Sequence, residues 1–538
     1  MPKIQQALAR YWPLAVALAA FITPVVIIEY HVLKATHGFF SYTFDDAFIH
    51  LSIAKNIAQH GIWSISPHEF TSASSSVLYP LLIAAVFKLS GPHTVIPFVL
   101  NLLAAIGFLI VLHQWLRRQQ LSPLRQVIVL LAVVFLVPLP VVVIYGMEHT
   151  LQLLACFLFV YAFAGALEKL RHSPAVAAEL PWQVYLYGAL AMAMRYESIF
   201  LVGLAVLLLL TSRRWLLAFQ LGLVSLLPVL VFGLYSLYKG SYFMPNSVLL
   251  KSTFPPLTTG GLFHFLTDDI FYRLYFVNTT AGGVVVQRLL IICPLLYLLW
   301  AKQLRGAYRY LLILLTANAL LHLVFASTNA WFRYEAYLVG CTVPLLGVLA
   351  VKYLPPIMKT WGPTARGAFV FAGAVLFIPL LLRSKYAFKI AGQGCINVYE
   401  QQYQVARFVK KYYEKSPVAL HDIGTVCYYS QGKHVDMVGL GNLEVTRAFL
   451  HHYATPGFFD WLTKKDSVPI AILYDQAFTP SLLRRWNKVA SWKIPRNATC
   501  YADSISFYAL TPDAVAELRT RLQAFKDSLP RDVVVKDY

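Results

Sequence analysis

The sequence predicts a polytopic α-helical membrane protein, of about eleven to thirteen transmembrane helices, with a C-terminal α/β domain. Three observations predict it. Hydrophobic residues make up 58% of the 538-residue chain and charged residues 13%, with a mean hydropathy of +0.60. A soluble globular protein carries about 25% charge. Apolar runs of roughly spanning length recur from residue 12 to residue 383. Charge then changes character: residues 1–384 hold 25 Lys/Arg and 11 Asp/Glu, whereas residues 385–538 hold 20 and 14. Residues 1–384 therefore read as a membrane module and residues 385–538 as a domain of soluble composition. A disordered chain, a coiled coil and an ordinary cytosolic enzyme are excluded.

A bilayer core about 30 Å thick needs about 20 apolar helical residues. Runs of that kind lie near 12–33, 95–115, 126–145, 150–167, 215–236, 284–301, 310–327, 334–351 and 367–383. Shorter runs lie near 77–90, 183–194 and 198–212. The first run is long and no small-residue cleavage site follows it, so it reads as an anchor rather than a signal peptide. Basic loops set sidedness. Lys3 and Arg10, the Arg117–Arg125 cluster, Lys169 and Arg171, Arg213 and Arg214, Lys302 to Arg309, and Lys352 to Arg366 fall on alternate loops. The positive-inside rule makes these loops cytoplasmic and accounts for much of the net charge of +20 without nucleic acid as a partner. The intervening loops and the region after 384 are then outside. Parity requires one of the two runs in 77–115 to be interfacial or re-entrant. In the tail, strands are expected at Pro417–Leu420, Val468–Leu473 and Ser504–Leu510, with helices at Val398–Tyr413 and Asp513–Leu529. Cys156, Cys293 and Cys341 sit in apolar runs. An oxidising compartment could join two of Cys395, Cys427 and Cys500.

The eleven acids before residue 385 are informative because charge at membrane depth is costly. Asp45, Asp46, Glu148 and Glu197 all map to the outer ends of spans, which suggests one outward-facing polar chamber. Asp45 and Asp46 open the strongest motif, Phe44-Asp45-Asp46-Ala47-Phe48-Ile49-His50, which continues through Ala54-Lys55-Asn56 to His60-Gly61. Adjacent carboxylates on a helix lie about 100° apart, so one can face a reaction centre while the other holds backbone or a basic group. A carboxylate against an apolar wall suits general-base work; Asp45 could equally cap the helix that follows. Arg195, Lys251 and Arg333 add three cations on the same face. They favour an anionic ligand such as a lipid phosphate, against the alternative of charges snorkelling to the interface.

These residues, with Gly146-Met147-Glu148, Arg195-Tyr196-Glu197, Pro245-Asn246 followed by Lys251, Arg333, Asp422-Ile423-Gly424, Tyr428-Tyr429-Ser430 and Asp436-Met437-Val438-Gly439-Leu440, resemble in order the motifs of GT-C superfamily membrane glycosyltransferases. The likeness is to bacterial arabinofuranosyltransferase-like and mannosyltransferase-like members. Tyr196 stands where they have Pro, and the Ser-rich stretch 72–76 replaces an early Pro. The resemblance implies a GT-C fold and a bacterial inner-membrane location with the tail outside. It also implies an inverting transferase that takes a sugar from a polyprenyl-phosphate donor and gives it to an envelope glycan or glycolipid. Asp45 or Asp46 would be the base. Arg195, Lys251 and Arg333 would bind the donor phosphate. Glu148, Glu197, Asn246, His50 and Asn56 would bind substrate. No cofactor is implied with certainty; a divalent cation held by the two carboxylates is left open. The alternatives are a lipid-linked glycan flippase, which the absence of pseudo-symmetric halves disfavours, and a scaffold, which gives the paired aspartates no purpose.

Overall fold

The computed structural model describes residues 2–171, 179–251, 306–326 and 331–538, with six isolated positions between 264 and 304. Helices form where the apolar runs were expected. They are α1 (Pro2–Ala35), α2 (Asp46–His60), α3 (Leu78–Ser90), α4 (Ile96–Arg118), α5 (Pro123–Leu136), α6 (Leu139–Ile144), α7 (His149–Arg171), α8 (Trp182–Met194), α9 (Ile199–Thr211), α10 (Trp215–Tyr238) and α11 (Asn246–Lys251). Later in the chain come α12 (Ala307–Phe325), α13 (Ala336–Lys359) and α14 (Pro363–Glu400). The run expected at 284–301 lies almost wholly outside the described residues. Among those residues, seven helices are long and apolar enough to cross a membrane.

Departures from the expected runs have local causes. The run 126–145 is two helices, because Pro138 lacks the N–H that a continuous helix would need. Helix α8 stops at Met194 because Arg195 takes an extended backbone, φ −157° and ψ 141°, before a short 3₁₀ turn at Tyr196–Ser198 leads into α9. In 77–115 the chain forms α3, of 13 residues, and α4, of 23, and of these two α4 has the length and apolarity to cross a membrane. Helix α3 packs on α2.

Helix α7 is the hub of the bundle, in contact with α4, α8, α12 and α13, while α1 lies against α5 and α14. Apolar side chains on α10, including Trp215, Phe219 and Leu234, are largely exposed on the rim, as a lipid-facing stripe would be. The line drawn at 384/385 falls inside α14, which runs without a break from the bundle into the tail. A helix at Gln402–Tyr412 follows, and then a six-stranded mixed sheet. Its strands are β1 (Val418–Leu420), β2 (His434–Asp436), β3 (Ile470–Leu473), β4 (Asn487–Lys493), β5 (Ser504–Ala509) and β6 (Val534–Asp537), in the order β2-β1-β3-β5-β4-β6. Strand β1 pairs parallel with β2 and β3, and the remaining pairs are antiparallel. β1 and β3 are buried along their whole length, as strands covered on both faces require. Cys395, Cys427 and Cys500 are all free thiols, so the disulfide expected in the tail does not form.

Candidate functional site

Four segments that the sequence keeps apart meet beneath the tail: the start of α2, the α6–α7 corner, the α8–α9 break and the turn before α13. The corner depends on Gly146, whose φ is +67° and whose missing Cβ would lie 2.2 Å from the Tyr42 ring. Only glycine fits both conditions. Glu148 follows, fully buried, with Oε1 2.5 Å from Arg195 Nη1 and Oε2 3.2 Å from His50 Nε2. The α8–α9 break turns Arg195 inward, where it also holds Glu197 in a two-point grip at 3.1 and 2.7 Å. Arg333 Nη2 donates to Asp46 Oδ2 at 2.7 Å. Tyr334 lies between the two arginines, with its ring centroid 4.5 Å from the Arg195 guanidinium carbon and 5.4 Å from that of Arg333. A ring between two cations offsets part of their mutual repulsion.

The two aspartates diverge, as their one-residue spacing requires. Asp45 faces the tail: Oδ2 accepts from the Gly424 N–H at 2.7 Å, and Oδ1 accepts from the Thr425 N–H at 2.7 Å and its hydroxyl at 2.6 Å. It therefore caps the short tail helix Gly424–Tyr429 rather than α2, on which it makes no side-chain cap. Gly424 is needed for that approach, since a Cβ there would sit 2.2 Å from the Asp45 carbonyl oxygen. Burial, and next the neighbouring Asp422 carboxylate, push Asp45 up to about 7 against those three donors. Asp422 stays below the usual carboxylate range despite its burial, held by His421, Gln402 and Tyr474. Asp46 keeps 30% of its side chain exposed. Burial raises its proton affinity, but Lys251, Arg333 and His50 together hold it below the usual range.

Beside this cluster lies a cavity of about 290 Å³, lined among the described residues by Arg195, Glu197, Lys251 and Tyr334 at its polar end. Leu226, Leu230, Phe200 and Phe325 are among the side chains of its apolar walls. Lys251, at the end of α11, is exposed and makes no hydrogen bond or ion pair among the described residues. Its charge acts on Asp46.

The remaining residues singled out from the sequence sit at or around this cluster in distinct ways. His50 joins it through Glu148, with Ser74 Oγ 3.2 Å from the other ring nitrogen. Asn246 is buried at the head of α11, where its side chain donates to the Leu440 carbonyl in the tail at 3.3 Å. Asn56 donates to the Ser64 carbonyl at 3.0 Å and is not part of the charged network. Sequence reasoning did not single out Tyr334, which lies against the two arginines, or His149, whose ring packs on Tyr334. Their signal, an aromatic or imidazole next in sequence to a candidate charge, is too common to stand out. Among the described residues no three His, Cys, Asp or Glu side chains converge in a way that would hold a metal ion.

Two crystal structures of ArnT from Cupriavidus metallidurans, one bound to undecaprenyl phosphate and one in the apo state, align with 92% of this chain and 98% of theirs. The TM-scores are 0.53 and 0.50, at 15% identity. The chain shares the fold of ArnT. The alignment takes in both the helical bundle and the tail. A family described as a domain of unknown function, DUF8728, matches residues 395–508. No curated protein matches the chain.

Proposed function

We propose that the chain is an integral-membrane glycosyltransferase. It moves a sugar from a polyprenyl-phosphate carrier to an envelope glycan or glycolipid acceptor, on the outer face of a bacterial inner membrane. The observation that carries this reading is the ion-paired cluster of Asp46 with Arg333 and of Glu148 and Glu197 with Arg195, set beside an apolar-walled cavity whose polar end is lined by Arg195, Glu197 and Lys251. Cations suit a phosphate, apolar walls suit its hydrocarbon tail, and a carboxylate suits an acceptor proton. The ArnT fold, seen there with undecaprenyl phosphate bound, supports a lipid phosphate as the ligand class.

The roles divide by what each side chain has left to offer. Lys251 is open, and Arg333 is shared with one carboxylate only, so these two receive the phosphate. Arg195 already spends its donors on Glu148, Glu197 and Ser75. It fixes those carboxylates as acceptors for sugar hydroxyls. Asp46 is the base, because Asp45 is occupied as a cap on the tail. A phosphate on Lys251 and Arg333 draws both cations from Asp46 and adds a negative charge nearby. The proton affinity of Asp46 therefore rises once the donor is seated. The acceptor oxygen then attacks the anomeric carbon in line, its proton passes to Asp46, and the bond from that carbon to the phosphate oxygen breaks with inversion. The lipid phosphate leaves with the electron pair, stabilised by the same two cations.

Mass spectrometry of envelope glycans from cells with and without the protein tests the class of activity. Loss of one sugar residue is the expected outcome. Build-up of a complete lipid-linked precursor on the inner leaflet would instead indicate a flippase.

A further inference from the structure

Arg333 is delivered to the site by a turn that bulky residues rarely make. Trp331 and Phe332 have φ values of 54° and 71°. Such conformations persist in large L-residues only where the surroundings hold them. Here the holder is Arg383 on α14. Its Nη2 donates to the Phe332 carbonyl at 3.3 Å and to Glu335 Oε1 at 2.5 Å, and its Nη1 donates to the Leu136 carbonyl at the end of α5 at 3.2 Å. The guanidinium also lies 4.8 Å from the Phe332 ring centroid. Phe332, Glu335 and Arg383 are all buried. Arg333 is therefore bracketed, by a fixed carbonyl and ring on the residue before it and by a fixed carboxylate two residues after it. Neither Glu335 nor Arg383 lines the cavity or bonds to Asp46. Replacing a buried ion pair by apolar residues is often neutral for stability, so stability alone gives little reason for this one.

We propose that the Arg383–Glu335 pair is a positioning device for Arg333: it clamps the 331–335 turn and so aims the Arg333 guanidinium at Asp46 and the phosphate site. This rests on reading Arg333 as a phosphate-binding cation. The clamp joins α5, α13 and α14, so the aim of Arg333 is set by the bundle and not by the turn alone.

Affinity for a synthetic polyprenyl phosphate, measured on the full chain in detergent, tests this. Arg333→Ala is expected to weaken binding on the order of tenfold, the scale of a lost charge-assisted hydrogen bond. The paired substitution Arg383→Met with Glu335→Met is expected to cause a similar loss while extraction and thermal stability are retained. Adding Arg333→Ala to that pair is expected to cost nothing further, because residues acting through one another are not additive. Wild-type affinity in the Met pair, or losses that add, would overturn the proposal and leave the phosphate reading standing. If the Met pair does not fold, Arg383→Lys, which keeps the buried charge, takes its place. A loss there that disappears in the Arg333→Ala background supports the clamp, and wild-type affinity overturns it. Failure of the unmodified chain to bind would refute the phosphate reading itself, and the clamp with it.

Discussion

Asp45 and Asp46 are neighbours with opposite tasks, and substitutions separate them. Asp46→Asn keeps size and removes the proton acceptor, so sugar transfer is expected to be abolished while membrane insertion and lipid-phosphate binding persist; retained transfer would remove Asp46 from the mechanism. Lys251→Met is expected to weaken donor binding on the order of tenfold, through loss of a charged contact to phosphate, with a smaller effect on turnover at saturating donor than at low donor. Asp45 has a pH signature. Its folded-state value of about 7 lies above the ordinary carboxylate value of 3.8, so the folded chain binds the extra proton. Its contribution to stability is fully present below about 4 and falls as pH rises through about 7. Melting curves in detergent are expected to show that decline, and Asp45→Asn to flatten it. An unchanged pH slope in the variant would assign the titration elsewhere. The divergence of the pair was legible in the sequence from helical geometry, but which member faced the cations was not. That choice depends on the tail helix at 424–429, which lies 379 residues away from Asp45.

Among the elements, the apolar runs in the described part of the bundle became helices, because twenty apolar residues leave the backbone no other way to satisfy its hydrogen bonds in lipid. The three expected tail strands appear within two residues of their predicted limits. Strands β2, β4 and β6 were missed. His434–Asp436 is three residues long, Asn487–Lys493 has polar or charged residues at both ends, and Val534–Asp537 is an edge strand with mostly exposed positions, all of which blur the apolar signal. The ion pairs within the site were out of reach of spacing rules, since they depend on the α8–α9 break and the 331–335 turn. The α6–α7 corner gives a sharp test. Gly146→Ala would place a methyl group inside the Tyr42 ring and is expected to lower the melting temperature and displace Glu148. Adding Tyr42→Ala should recover part of that loss, and no recovery would mean the corner is held by something else.

At the scale of the whole molecule, the tail rests on the bundle by several ties. Besides Asp45, Lys55 donates to the Tyr428 carbonyl at 2.8 Å, Thr499 donates to the Thr43 carbonyl at 2.8 Å, and Phe39 stacks on Tyr403 at 3.8 Å between centroids. On the proposed function, release of these ties would open the site to a bulky acceptor. A crosslink between the tail and α2 should therefore arrest transfer but spare donor binding, and undiminished turnover in the crosslinked protein would show that the acceptor arrives from the side. Helix α14 adds a separate consequence. Its 38 residues extend about 57 Å, nearly twice the thickness of the hydrocarbon layer, so much of it stands clear of the lipid. With the Asp45 bonds to Gly424 and Thr425, it ties the compartment of the sheet to that of Asp46. One reporter enzyme fused after Tyr538, active only in the oxidising or only in the reducing compartment, would accordingly settle on which side of the bilayer the chemistry happens.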